Sequence, residues 1–521
     1  MTMTWLARAH FDSSWAHLPT TDFPAVASRP GALAVLPVHG FADHGMGLPL
    51  DLEEVIAGPL LADATAQAAA SCSPCVLPPL RFGPAPYPSC GWFGVDLDTA
   101  HELVLEIARG VKFAGFEKLL LFSTNPWHRE WLDDAARNVR VETGLVTYRV
   151  HLGSLGLDFH PAAPAAQRLA LQALGVGLLG FHPVASAPQE SSDGDFRPGK
   201  WSHPPPLAAA RVSPERAAEA EALRGQCAER LARLLTEAAW HGRGHPPRAA
   251  VAPAAPAPRP GTEAAPLWRP FGSRYLGGLH REALRQATQR PGSLVVLPTG
   301  AIEQHGPHLP VGVDSMLGQG LLTRALALLA PGLPVHVAPP IVVGKSNEHA
   351  DWPGTLSLST RTFAALVRSQ VGQLHRLGFQ RIAIWNTHGG NSAVLVPLIR
   401  ELQGLPGLRI GMLQNDFKPA QSPQEAAYGF HAGEWETALM LALAPALVRR
   451  AKAVCHYPAQ LDDAGELRPG GSALTFGWTT RDIAPQGVIG DPTLATSERG
   501  ETWANESASA LASRITRLVR G

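Results

Sequence analysis

Glu303, His305 and Asp314 lie close together in Leu297-Pro-Thr-Gly-Ala-Ile-Glu303-Gln-His305-Gly-Pro-His308-Leu-Pro-Val-Gly-Val-Asp314. Carboxylate plus imidazole is a ligand set for zinc, manganese or iron, ions that activate water for hydrolysis. In an extended segment residues two apart point the same way, so Glu303 and His305 can face one point. A lone Glu-x-His in a loop is more often surface than ligand, but this one has company. Asn347-Glu348-His349-Ala-Asp351-Trp352, Asn386-Thr-His388-Gly389-Gly390-Asn391 and Gly429-Phe-His431-Ala-Gly-Glu434-Trp435-Glu436 follow it. His388 ends an apolar run, and the two glycines after it let backbone approach a ligand closely.

The elements that must position these groups can be read from the apolar pattern. Leu294 to Leu297 reads as a buried strand, broken into a loop by Pro298, Gly300, Gly306 and Pro310. Asp314 then opens a helix predicted to run to about Leu329. Further strands are predicted near 335–338, 382–386 and 409–414, and helices near 361–377, 392–403 and 434–443. Short buried strands alternating with helices predict an α/β fold, a mostly parallel sheet with helices on both faces. Ligands collect outside the carboxyl ends of such strands. The loops carrying Glu303 and His388 both follow strands, so both should open on one edge.

The first half of the chain repeats this plan. Val35-Leu-Pro-Val-His-Gly-Phe-Ala42-Asp-His44-Gly-Met-Gly-Leu-Pro sits without a gap on the segment beginning Val296-Leu-Pro-Thr-Gly, with Leu36 on Leu297, an offset of 261. Gly115-Phe-Glu-Lys-Leu-Leu-Leu-Phe-Ser sits on Gly378-Phe-Gln-Arg-Ile-Ala-Ile-Trp-Asn at an offset of 263. Ser213-Pro-Glu-Arg and Ser497-Glu-Arg-Gly each open an amphipathic helix near the end of a half. Matched blocks in one order predict a tandem duplication. We expect domains at 1–241 and 267–521, joined by a Pro/Ala-rich linker at 242–266. Residues 185–206 read as a polar insertion.

The four chemical blocks, with Gly487-Val-Ile-Gly-Asp491-Pro, resemble the creatininase (creatinine amidohydrolase) family. The resemblance is good over about 267–521 and degraded over 30–240. It implies a three-layer α/β/α sandwich, here present twice, a metal centre of one or two divalent ions (Zn, Mn or Fe), and hydrolysis of cyclic amides, formamides or small amides. By position it implies metal ligation by Glu303, His305, Asp314 and His388, with Asp314 bridging, and proton transfer by His431. Creatininase itself has Tyr and Glu after the metal histidine, and that Glu binds the second metal. Gly389 and Gly390 stand there instead, so the second metal must find another ligand, be weak or be absent. Glu436 and Glu434 are the nearest candidate ligands, and Glu434 is also a candidate acid beside His431. The Gly-Gly form resembles the formamide-hydrolase and peptide-trimming branches. Trp352 and Trp435 are candidate walls for a flat substrate. The backbone of Gly389 and Gly390 is a candidate oxyanion donor, with Asn391 beside it.

Under the same alignment Glu303 becomes Ala42, His305 stays as His44, Asp314 becomes Glu53 and His388 becomes Asn125. The first half is therefore expected to bind no catalytic metal and to pack against the second as an internal pseudo-dimer. Asp43 and His128 are near enough in sequence to be considered for a rearranged site. Family members are commonly oligomers, so a homo-oligomer is expected.

Composition narrows the partners. The chain has 521 residues with 44 basic and 44 acidic side chains, a formal net charge of zero that favours neither nucleic acid nor an anionic membrane. No apolar stretch is long enough to span a bilayer and the N-terminus has no signal-peptide core, so a cytoplasmic protein is expected. Five cysteines do not make a disulfide framework, and Cys72-Ser-Pro-Cys75 is read as incidental thiols. The expected activity is metal-dependent hydrolysis of a C–N bond in a small molecule. The alternatives are a maturation peptidase for a small modified peptide and a non-catalytic scaffold.

Overall fold

The computed structural model describes residues 13–84, 91–180, 183–184, 212–242, 271–458, 467–468 and 474–520. The expected linker beyond residue 242, the expected insertion at 185–206 and Cys90 lie outside them.

The first half builds a four-stranded parallel sheet from β1 (Ala32–Val38), β2 (Ser73–Val76), β3 (Lys118–Ser123) and β4 (Val146–His151), ordered β2-β1-β3-β4. Its main helices are α1 (Leu52–Ala68), α2 (Leu97–Phe113), α3 (Arg129–Thr143), α4 (Ala165–Leu179) and α5 (Pro214–Trp240). The second half repeats the sheet with β5 (Leu294–Thr299), β6 (Val335–Val337), β7 (Arg381–Asn386) and β8 (Arg409–Met412), ordered β6-β5-β7-β8. Its main helices are α6 (Val313–Ala327), α7 (Thr360–Arg376), α8 (Ser392–Leu402), α9 (Glu434–Leu443) and α10 (Ser497–Arg520). The predicted strands and helices of this half are all present, with ends shifted by one or two residues.

The two halves match residue by residue. Ala34 pairs with Leu119 as Val295 pairs with Ile382, and Lys118 pairs with Val146 as Arg381 pairs with Arg409. Isolated bridges repeat as well: Ser14 to Val76 and Val38 to Leu80, against Tyr275 to Val337 and Thr299 to Ile341. Strands β1 and β5 are buried throughout, as the unbroken apolar runs require in a sheet covered on both faces. Gly115 and Gly378 stand at the same place after α2 and α7, with φ of 96° and 110°, a left-handed stop that glycine adopts without strain.

The halves share a core. Trp15, Phe23, Phe93, Val104 and Ile107 belong to the same buried cluster as Leu356, Phe363, Val367 and Val371. Helices α2 and α7 pack side by side across the joint. Buried Glu106 on α2 accepts from Ser359 N at 2.9 Å and Thr362 Oγ1 at 3.0 Å, so it caps α7 of the other half. Gln370 on α7 donates to Phe93 O at 2.9 Å in return. A second cluster fills the face of the first sheet under α1, α4 and α5. Among the described residues no helix is long and apolar enough to cross a membrane.

Candidate metal centre

The loop after β5 folds back on itself. Glu303 N donates to Val311 O at 2.9 Å, and Ile302 bridges Leu356 of the neighbouring loop. Asp314 lies in the first turn of α6, which Thr387 holds against the end of β7 by donating from Oγ1 to Asp314 O at 2.8 Å. Both loops therefore open at the carboxyl ends of adjacent strands.

Backbone carbonyls fix the imidazoles. Nδ1 of His305 lies 3.1 Å from Glu303 O, and a carbonyl only accepts, so Nδ1 carries the proton and Nε2 is left facing the cluster. That Nε2 stands 3.5 Å from Asp314 Oδ1 and 3.7 Å from Glu436 Oε2. His388 is turned the other way: Nε2 donates to Lys345 O at 3.0 Å, and Nδ1 lies 3.2 Å from Glu303 Oε2 and 3.3 Å from Asp314 Oδ2.

Two ligand triads result, Glu303–Asp314–His388 and His305–Asp314–Glu436, with Asp314 common to both. A third grouping joins Glu303, His305 and His431. Within each, the ligand atoms lie within 4.8 Å of one another. His305 Nε2 and Asp314 Oδ2 are buried and make no hydrogen bond of good geometry. Unsatisfied acceptors facing one another across a buried gap fit a divalent cation, and Glu436 brings a further carboxylate to the same gap. Ala432, at φ 53°, directs its N–H to Glu436 Oε2 at 2.5 Å and holds that carboxylate in place.

The electrostatics fit the same reading. Burial raises Glu303 to about 8, with Asp314 adding to the rise and His388 opposing it. Burial also works against charge on Asp314, His305 and His388. Opposite charges outweigh it: Glu436 and then Asp314 hold His305 well above its usual range, Glu303 and then Asp314 do the same for His388, and His305 and then His388 hold Asp314 below its own. Such imidazolium–carboxylate pairs release protons when a cation takes their place. His431 and His349 behave oppositely: burial, then neighbouring histidines, pushes His431 down to about 4 and His349 well below its usual value.

Several residues beside the cluster carry no sequence-level assignment. Gln304 is fully buried; its Oε1 accepts from Gly306 N at 2.9 Å, which turns Nε2 toward His349 Nδ1 and His431 Nε2, each at 3.0 Å. His349 Nε2 lies 3.4 Å from Glu303 Oε1, and its ring stacks on His431 with centroids 4.3 Å apart. Ser346 Oγ donates to Glu303 Oε2. Glu348 Oε1 is 3.5 Å from His388 Nε2 and lies where a side chain at Gly390 would begin, 2.1 Å from its ideal Cβ. The usable signal was position: residues 346–349 follow β6 at the same sheet edge.

Four expected site residues make other contacts. Glu434 is buried and pairs with Arg499, on the far side of its helix turn from the cluster. Trp435 packs between Phe417 and Trp503, with centroids 5.8 and 5.7 Å away. Asn391 ties loops together, accepting from Lys345 N at 2.9 Å and donating to Gly300 O at 3.0 Å. Trp352 is buried one turn beyond His349, under the Arg481 guanidinium at 4.0 Å. A Cβ on Gly389 would meet nothing within 4 Å.

The equivalent place in the first half is filled by protein. Glu53 is fully buried, accepts from Asn125 Nδ2 at 2.8 Å, Gly40 N at 2.9 Å and Thr124 Oγ1 at 3.0 Å, and pairs with His44 Nε2 at 3.0 Å. Asp43 turns to Gly45 N at 2.9 Å and to Arg281 at 3.7 Å. His128 is buried against Gly83, whose ideal Cβ would lie 2.5 Å from its ring.

A family model, creatinine amidohydrolase (Creatininase), matches residues 16–178 and again 279–515. The chain belongs to the creatininase family. Within it, this creatininase homologue is 32% identical over 229 residues to a mycofactocin precursor peptide peptidase of Mycolicibacterium smegmatis, covering 43% of this chain and 85% of that protein. It is 35% identical over 185 residues to the creatinine amidohydrolase of Pseudomonas putida, covering 32% and 70%. It is 28% identical over 260 residues to the 3-dehydro-scyllo-inosose hydrolase of Thermotoga maritima, covering 46% and 79%. All three relatives are hydrolases by name.

Proposed function

We propose that this chain is a metal-dependent amidohydrolase that cleaves a cyclic amide, formamide or other small C–N substrate at the centre built by its second half. The observation that carries the proposal is Asp314, whose two oxygens serve two ligand triads at once. Glu303 and His388 would hold one ion, and His305 and Glu436 a second, of zinc, manganese or iron. A bound divalent ion supplies an acidified water and a polarised carbonyl.

The chain's own residues then orient and protonate. His431 Nε2 donates to Gln304 O at 2.9 Å, which leaves Nδ1 3.8 Å from Glu303 Oε1 and facing the cluster. There it can take a proton and return it to a departing amine, with Gln304 O steadying the imidazolium. The N–H groups of Gly389 and Gly390 are assigned to the substrate carbonyl oxygen. The first half binds no catalytic ion and serves as packing partner, with the domain division at 242–266.

One observation favours a second substrate class. The peptide peptidase matched over 85% of its length supports a small modified peptide, and the open side of Gly389 leaves room for one. Metal analysis of purified protein, with His305→Ala and His388→Ala as controls, tests the metal reading. A panel of lactams, formamides and short peptides separates the substrates. Unchanged metal content and turnover in both variants would overturn the assignment of this site, and no turnover in any protein would leave the scaffold reading.

A further inference from the structure

The joint between the halves is an isologous contact, as in a two-fold dimer. Val311 N donates to Leu18 O at 2.9 Å and Gly312 N to Ala16 O at 3.1 Å. Subtracting and adding 261 gives the mirror pair: Leu50 N donates to Leu279 O at 3.0 Å and Asp51 N to Gly277 O at 2.9 Å. The backbone pairing is symmetric, but the side chains are not. Toward the second half, Trp15 Nε1 donates to Gly354 O and Thr20 Oγ1 to Pro353 O, both at 2.8 Å. The mirror positions are Leu276, which has no donor, and Arg281, which pairs with Asp43 at 3.7 Å.

These contacts fall on the site loops. Val311 and Gly312 lie between His305 and Asp314. Pro353 and Gly354 close the loop that carries Ser346, Glu348 and His349. Phe23 seals this turn, since a Cβ on Gly354 would come within 2.1 Å of its ring. Asp22 binds Arg449 at 2.7 Å, and Arg449 N donates to His308 O at 2.8 Å. The gripping segment is rooted in the first half. Trp15 is fully buried with ring centroids 4.6 Å from Phe23 and 5.5 Å from Phe116, and Ser14 bridges the edge strand at Val76.

We infer that residues 15–23 of the first half are a positioning element for the second half's metal centre. They set the loop between His305 and Asp314 and the turn after His349. The inference rests on the metal reading above, and the pseudo-symmetry supplies a matched control.

The test compares full-length Trp15→Phe/Thr20→Val with the mirror variant Arg281→Met. Chelator-stripped proteins are titrated calorimetrically with Zn(II) and with Mn(II). Hydrogen exchange is followed in the metal-free proteins over 303–314 and 346–356. The double variant should bind metal ten-fold or more weakly, in the range of lost supporting contacts around a metal site. It should also exchange faster in both loops. The mirror variant should match wild type within two-fold on both counts, with circular dichroism unchanged in all. Wild-type affinity and exchange in the double variant, or equal losses in the mirror variant, overturn the inference. If wild type and His388→Ala titrate alike, the metal reading fails instead, and the exchange data alone decide whether the segment positions the loops.

Discussion

The two centres of this chain stand on the same strands in the same register, yet one is open to a cation and the other is closed. In the second half Asp314 Oδ2 and His305 Nε2 are buried and unsatisfied. In the first half the equivalent carboxylate survives, one methylene longer as Glu53, and it is saturated with donors. Two positions differ: Ala42 stands where Glu303 does, and Asn125 where His388 does. An amide offers an N–H where a ligand must offer a lone pair. A buried carboxylate can thus be kept from facing a cation by giving it hydrogen bonds instead.

The sharpest way to break the comparison is to exchange the roles. Asp314→Asn should lower kcat/KM on the preferred amide by about 10³-fold or more and abolish high-affinity metal binding. Retained metal in that variant would mean that the shared carboxylate is not the organising ligand. Glu53→Gln should leave metal content and turnover unchanged but reduce stability at pH 7 by about 3 kcal/mol. Burial would raise the Glu53 pKa, but His44 and then the other partners bring it down from 4.5 to about 2. Because the folded value is the lower one, this stabilisation is present above pH 4.5 and is lost as pH falls toward 2. Denaturant midpoints across that window should therefore converge for wild type and Glu53→Gln.

Next in size is the glycine pair. Gly390→Ala puts a methyl group against Glu348 and His388 and should cost about 10²-fold in kcat/KM, whereas Gly389→Ala should change it by less than about three-fold. Equal effects would remove the reading of Gly390 as a close-approach position. Smallest is Trp435→Phe. Packed against Trp503, it should cost about 1 kcal/mol in thermal unfolding and leave KM unchanged. A raised KM would restore it to the substrate wall.

Much of this was legible in the sequence because it depends on local pattern. Apolar runs ended by glycine and proline marked strands and loops, and an offset of 261 to 263 predicted that both halves share one plan. Glu303, His305, Asp314, His388 and Glu436 do meet in space. Reading failed where direction mattered. Glu434 and Glu436 share one helix, and only helix phase decides which meets His305 and which meets Arg499. Gln304 was passed over because its neighbours are the charged residues, although its side-chain amide faces His349 and its backbone carbonyl fixes His431. Ser346 and His349 belong to the site through a third strand's loop, a placement that needs the sheet order as well as the motif.

The isologous joint has a consequence for how the molecule works at low concentration. Two separate chains paired in this way come apart on dilution, and each then loses whatever its neighbour supplies. Here both halves belong to one polypeptide, so the partner is present at an effective concentration of the order of millimolar whatever the bulk concentration. Specific activity should stay flat across dilutions that would dissociate a dimer with the same contacts. If the first half has no working centre, as proposed, covalent linkage would also keep that copy from displacing the active one at the joint.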